Sequence, residues 1–501
     1  MFAELRRRLS GGGLLQKVAV NTLAQVGGRV FIALAGVVSV AATTRYLSIQ
    51  DVGTLLTAFT FASLFLVGSQ LGVSAAGARM LAWQPDDARR VVASIALVST
   101  VMSLALAGCG YLVAVAVYPG PEHSLLRTAI LIFLLQLLPN GPKVASASFF
   151  VARQRIALLT LSGIVARALS LALVLAAIGL DGGLLWVCAA TASAAVLDGC
   201  LSAAIALRLV GLGRSSVRVG LSVLKAAVPV GAILLINIIY FRLDLMLLSL
   251  LSSRQEVALY GVSYKLVDFL YVLPSMFMAT LFPVIARLEP TSERLRALVQ
   301  KAFTTVQLAA VPVIIIGLYA GDILEVLGGP PYRTAAPILQ LLLVSLGFSF
   351  LQTVLGIALV ALNRQQGLLL MSCLILASNV ALNFLLIPAL DATGAAIAVV
   401  VTEFLSLVGA LWIYSRVAAV RPSFYKPLGT LAAGAAMALV MTIRFIPGLP
   451  GDGPLAAGVI GAVGFGVYTG ALYKLNALPD FALAFAARML RGFRRSAAVE
   501  G

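Results

Sequence analysis

Seven charged residues sit where charge is expensive. Arg242 and Asp244 lie inside an apolar run that is long enough to cross a bilayer, and Lys265 and Asp268 repeat the pattern in the next run. Arg29, Lys143 and Arg167 do the same in three earlier runs. A charge at the centre of a spanning helix costs roughly 2.5–3.5 kcal/mol on insertion scales, so such residues face a protein interior or a wet cavity. Five of the seven are cations. The chemistry they offer is recognition of an anion by charge-assisted hydrogen bonds, with arginine adding a planar, bidentate fork.

Depth can be counted along the helices. Arg29 lies about 15 Å into the first run at 1.5 Å per residue, just after Gly27 and Gly28. Arg242 rises about 20 Å from Pro229, and Lys265 descends about 12 Å from Val257. In a hydrocarbon core of about 30 Å those two levels coincide, so one anion could meet both cations. The carboxylates leave alternatives open. Lys265 and Asp268 are spaced i,i+3 and share a helix face, so Asp268 could neutralise Lys265. Arg242 and Asp244 point to nearly opposite sides of one helix, which leaves Asp244 to reach across towards Lys265. Lys143 follows Pro139-Asn-Gly-Pro142 near a helix end, where it could line a cavity or snorkel to the surface. Asp198 and Glu403 are buried acids that could partner Arg167, hold a coupling ion or form static interhelical pairs. Asn379 and Asn383, at i,i+4, fit a role in holding helices together.

The elements that position these residues are membrane helices. The chain has 501 residues, 61% hydrophobic and 11% charged, and a mean hydropathy of +1.04. Soluble domains carry about 25% charged residues. Apolar runs of about 20 residues recur from end to end, which predicts an all-α polytopic membrane protein of about fourteen spans. The spans read as 18–44, 53–78, 91–117, 126–150, 156–179, 184–207, 224–250, 257–286, 302–320, 335–362, 366–388, 393–415, 427–447 and 455–473. The longest polar connection, 287–301, reads as a charged surface helix. The N-terminal stretch MFAELRRRLSGGGLLQK has no apolar core or cleavage site of a removable signal.

The formal charge of +17 fits cytoplasmic loops rather than nucleic-acid binding. Lys and Arg crowd into alternate connections, while the opposite side carries only Arg45, Arg127, Arg254, Arg333 and Arg444. Both termini are therefore expected in the cytoplasm. The basic stretch Arg488–Arg495 reads as an interfacial helix on anionic lipid. The four cysteines form no CxxC pair, and the single histidine, His123, sits in a loop. No metal or cofactor site is suggested. No Walker A motif, nucleophile elbow or HExxH occurs, which argues against an enzyme.

Short matches recur in order at a spacing near two hundred residues. Leu126-Arg-Thr-Ala-Ile pairs with Tyr332-Arg-Thr-Ala-Ala, and Ala152-Arg-Gln with Asn363-Arg-Gln. Asp181-Gly-Gly pairs with Thr393-Gly-Ala, and Gln50-Asp-Val-Gly loosely with Gln255-Glu-Val-Ala. An even number of helices per copy makes this a parallel repeat about the membrane normal. It divides the chain into an N-lobe at 1–210, a C-lobe at 211–420, and two extra helices with a basic tail at 421–501.

Several stretches resemble a known family. They are Leu224-Lys-Ala-Ala-Val-Pro-Val-Gly, Tyr240-Phe-Arg-Leu-Asp-Leu-Met, Val257-Ala-Leu-Tyr-Gly-Val-Ser-Tyr-Lys, Leu281-Phe-Pro-Val-Ile-Ala-Arg, Gly328-Gly-Pro-Pro-Tyr-Arg and Asn379-Val-Ala-Leu-Asn. From about Asn21 to about Thr402 the chain resembles the polysaccharide-transport (Wzx-type) branch of the multidrug/oligosaccharidyl-lipid/polysaccharide (MOP) superfamily. The lipid II flippases are similar in plan. The resemblance implies two six-helix lobes around a cavity. It also implies transfer of a lipid-linked oligosaccharide, on a carrier such as undecaprenyl diphosphate, to the outer leaflet of a bacterial inner membrane. Arg29, Arg242, Lys265, Asp244, Asp268, Arg167 and Lys143 are then the expected substrate-binding residues. The expected partners are the lipid-linked substrate, membrane lipids and a polysaccharide polymerase or other assembly protein. The competing readings are a cation-coupled multidrug exporter of the same superfamily and a non-transporting member of a polysaccharide-synthesis complex.

Overall fold

In a bilayer every backbone N–H and C=O must be satisfied within the protein, and an apolar chain does this by forming helices. The computed structural model describes residues 14–70, 72–84, 86–445 and 454–479, apart from the side chains of residues 14–26, 29, 229–230, 232–235, 237–238, 365 and 454–455. All regular structure among these residues is helical. The helices are α1 (Leu14–Tyr46), α2 (Ile49–Gln70), α3 (Val73–Trp83), α4 (Ala88–Val117), α5 (Ser124–Leu134), α6 (Asn140–Ala152), α7 (Ile156–Gly179) and α8 (Gly183–Val210). They continue with α9 (Val217–Leu251), α10 (Arg254–Ile285), α11 (Glu293–Ile315), α12 (Ala320–Gly328), α13 (Ala336–Ala361), α14 (Gln365–Ala418), α15 (Pro427–Thr442) and α16 (Pro454–Lys474).

Among the described residues the apolar runs fall on helices, with 53–78, 126–150 and 302–320 each interrupted by a break or a 3-10 turn. Eleven helical segments among the described residues are long and apolar enough to cross a membrane, and the protein is a multi-pass membrane protein. The breaks have local causes. Gly72, at φ 69°, separates α2 from α3. A 3-10 turn at Leu135–Leu137 precedes the Pro139-Asn-Gly-Pro142 stretch, and the helix restarts at Asn140. α14 contains two spans that meet at Asp391, which is non-helical at φ 50°. The charged stretch 287–301 differs from expectation. It is a loop as far as Ser292, whose hydroxyl caps α11 by accepting the Leu295 N–H, and its remainder is the first turns of that spanning helix.

Short connections need tight helix ends. Gln154, Asp181, Asn363 and Asn476 all adopt φ between 53° and 59°. In each case the next residue's N–H reaches back five residues: Arg155 to Phe150, Gly182 to Ala177, Arg364 to Leu359, and Ala477 to Leu472. This is the Schellman closure, for which asparagine and aspartate serve as left-handed residues in place of glycine. Asp181 also accepts a hydrogen bond from the Tyr46 hydroxyl at 2.7 Å. Asp391 likewise accepts one from the Ser252 hydroxyl, at 2.6 Å.

The chain forms two compact units. One takes in Met1–Lys265, Leu327–Pro331 and Leu376–Ala395. Its apolar core gathers Val73, Val91, Ile95, Phe150 and Val210 from α3, α4, α6 and α8. The other holds Leu266–Val326, Tyr332–Ile375 and Ala396–Gly501, with a core of Tyr319, Met437, Met441, Tyr468 and Leu472. In the second unit two glutamines of α11 bind the connection that leads to α15. Gln307 accepts the Tyr425 N–H and donates to its carbonyl, at 3.0 and 3.2 Å. Gln300 does the same with Ser423, at 2.9 and 2.7 Å. Arg444 forms a two-pronged pair with Asp322 there, and Arg333 pairs with Glu325 at 2.9 Å.

Candidate functional site

The cations of α9 and α10 meet over one aromatic ring. The Arg242 guanidinium carbon lies 5.9 Å from the centroid of Phe59, and the Lys265 ammonium lies 4.4 Å from it. Phe59 belongs to α2, so three helices contribute. The ring is held edge-on by Phe133 of α5, at 5.7 Å and 79°, and Phe133 is fully buried. An aromatic face attracts a cation by about 0.5–2 kcal/mol, the more so where water is scarce. The equal depth counted from the sequence for Arg242 and Lys265 agrees with their common contact. Phe59 was not legible beforehand, because a phenylalanine within an apolar run carries no distinguishing signal.

Asp244 turns away from Arg242, as a separation of two residues requires. It is 4% exposed and accepts a 2.7 Å hydrogen bond from the Asn383 amide. That amide also donates to the Asn379 carbonyl and side-chain oxygens, at 2.9 and 3.1 Å. The reach of Asp244 across to Lys265 is thus replaced by a neutral donor from α14. Asn379 and Asn383 do hold helices together, and they do so through Asp244.

Lys143 and Asp198 form an ion pair at 2.8 Å, and Ser162 donates to the same carboxylate at 2.7 Å. Of the alternatives open for these residues, a static interhelical pair is the one formed. Lys143 does not snorkel to the surface, and Asp198 partners Lys143 rather than Arg167. The close fit of Gly199 against Pro139 sets the two helices together. A Cβ at Gly199 would lie 2.9 Å from the Pro139 ring and 3.1 Å from its carbonyl.

Arg167 stands apart from these acids. Its Nε is buried and has no hydrogen-bond partner among the described residues. Its terminal nitrogen abuts Gly36 of α1, where a Cβ would approach to 3.0 Å. Gly36 lies two turns beyond Arg29 on the same helix face. Arg29 itself is on α1, but its side chain lies outside the described residues. Asp268, on α10, and Glu403, on α14 and 7% exposed, belong to the second unit.

Residues 14–289 match the family model described as polysaccharide biosynthesis protein. A probable flippase, AglR of Haloferax volcanii, is 25% identical over 209 residues, which is 40% of this chain and 44% of that protein. The chain thus spans less than half the length of the curated relative it matches. The solved structure of the lipid II flippase MurJ, in an inward closed conformation, has a similar fold, with a TM-score of 0.72 at 13% identity over 91% of this chain and 99% of that one. An inward-facing multidrug resistance transporter of the MATE family, in the MOP superfamily, superposes with a TM-score of 0.63 at 14% identity, over 79% of this chain and 98% of the other. The fold is therefore that of the MOP superfamily.

Proposed function

Because the chain belongs to the polysaccharide biosynthesis protein family, we propose that it is an alternating-access flippase for an anionic polyprenyl-diphosphate-linked oligosaccharide or polysaccharide repeat unit. The observation that carries this reading is the convergence of Arg242 and Lys265 on Phe59 within the spanning helices. A diphosphate cannot cross about 30 Å of hydrocarbon uncompensated, and fixed cations along its route offset its desolvation. Arg29 and Arg167 extend the set along α1 and α7. Lys143 contributes less, since Asp198 takes up its charge. Asp244 keeps its place among the asparagines and shapes α9 from behind.

The route runs from the cytoplasmic to the outer leaflet of a bacterial inner membrane, with both termini in the cytoplasm. The bias of Lys and Arg towards alternate connections supports this orientation. The lobes 1–210 and 211–420 rock about the site, as repeat-built transporters do. A polysaccharide polymerase is the natural recipient of the delivered unit.

The alternative is a cation-coupled multidrug exporter, and the MATE-like fold is equally compatible with it. Two cations on one ring favour an anionic cargo over a cationic one. The deciding experiment is reconstitution into vesicles with defined polyprenyl-diphosphate sugars, scoring the fraction that reaches the opposite leaflet. Transfer is expected for the wild type. Equal transfer by protein-free vesicles, or by the Arg29→Ala, Arg242→Ala double variant, rejects the reading.

A further inference from the structure

A cavity lies within the first unit, at the helix ends that carry few basic residues. Its volume is about 220 Å³. At about 30 Å³ per water this is room for about seven waters, the scale of a single sugar ring. α2 supplies Thr54 and Thr57, the end of α4 supplies Tyr118, and the end of α9 supplies Ser249. Leu126 and Val257 form apolar walls, with Arg254 and His123 at the rim.

The polar groups here are almost all hydroxyls. The Tyr118 and Ser249 hydroxyls are 2.8 Å apart, and either can be the donor. Thr54 donates to the Gln50 carbonyl at 3.0 Å, which leaves its lone pairs as acceptors. Thr57 is only 4% exposed, lines the cavity, and makes no hydrogen bond among the described residues. Its oxygen is not sealed off from the cavity, so it is open to hydrogen bonding by whatever enters there. The Tyr118 ring is fixed between Phe61 and His123, at 6.3 and 5.9 Å.

Hydroxyls that can donate or accept suit a ligand that does the same. An anion would instead require fixed donors, and the one guanidinium at the rim directs an N–H to the Glu122 carbonyl at 3.3 Å. We propose that this cavity is a subsite for one neutral, hydroxyl-bearing sugar ring, through hydrogen bonds to Thr57, Thr54, Tyr118 and Ser249. The proposal rests on the flippase reading for the source of the sugar, which is the glycan of the cargo as it leaves the diphosphate site.

The test uses the full chain in lipid nanodiscs and saturation-transfer NMR, with free glucose, galactose, N-acetylglucosamine and glucuronate as probes and inorganic phosphate as competitor. At least one of the three neutral sugars is expected to give a signal in the wild type. Thr57→Val, which exchanges the hydroxyl for a methyl of near-equal shape, is expected to cut that signal at least fivefold. Thr57→Ser is expected to keep it. An equal signal in wild type and Thr57→Val, silence from all three neutral sugars, or displacement by phosphate overturns the subsite. Leaflet transfer of lipid-linked sugar is scored on the same preparations. Transfer without a sugar signal removes the subsite and leaves the flippase reading standing. A Thr57-dependent signal without transfer does the reverse.

Discussion

Lys143 and Asp198 lie 2.8 Å apart, on helices α6 and α8 of the same unit. Both are largely shielded, at 28% and 18% exposure. Removing one partner leaves a charge in a place built for a pair, whereas removing both leaves none. We expect Lys143→Met alone to lower stability by about 1–3 kcal/mol, read as a fall in melting temperature in detergent. The Lys143→Met, Asp198→Leu double variant is expected to recover at least half of that loss. A double variant less stable than the sum of the singles contradicts a structural pair.

The cationic route gives a second prediction. Arg242→Ala is expected to abolish leaflet transfer while the protein still inserts and elutes as a single species. Arg242→Lys is expected to restore only part of the rate, because an ammonium cannot offer the planar fork. Phe59→Leu is expected to slow transfer more mildly, since it removes about 0.5–2 kcal/mol of attraction that holds two cations in register. Full activity in Phe59→Leu, measured in the same vesicles, rules out a positioning role for the ring.

The buried carboxylate gives a third. Asn383→Leu takes from Asp244 its 2.7 Å donor and leaves a shielded carboxylate short of partners. The expected cost is about 1–3 kcal/mol. Asp244→Asn keeps the shape and removes the charge, so it is expected to cost less. Thermal unfolding of the two variants side by side distinguishes them.

Orientation is testable by labelling. Thr291→Cys, in the exposed loop before the α11 cap, is expected to resist a membrane-impermeant maleimide applied from outside. Glu122→Cys, on the opposite side with 64% of its side chain exposed, is expected to react. The reversed pattern inverts the proposed direction of transport.

Left-handed residues also give the expected repeat a register. Gln154 and Asn363 end α6 and α13 with the same backbone closure. Asp181 and Asp391 each accept a hydroxyl hydrogen bond at a comparable break. This register is two residues away from the sequence matches. An experimental structure is expected to superpose residues 1–210 on 211–420 with these pairs aligned.

The helical, multi-pass plan was legible because lipid leaves an apolar chain few options, and counting helical rise anticipated that Arg242 and Lys265 come together. The partners were not. Lys143 meets Asp198 only after two non-adjacent helices pack, and Asp244 meets Asn383 only once α9 and α14 are side by side. Short-range spacing holds no record of such encounters. The Lys265–Asp268 spacing drew attention because it is local, whereas Phe59, distant in sequence from both cations it faces, left no trace.

The glutamine clamps of α11 have a mechanical consequence. Gln300 and Gln307 grip the connection before α15 by imitating a peptide group, with one donor and one acceptor each. A force applied through the C-terminal end meets these four bonds only after α16 and α15 have been drawn out, because the clamped connection precedes both helices in the chain. They then act as a stop, and the pull does not pass to α11 until all four have given way.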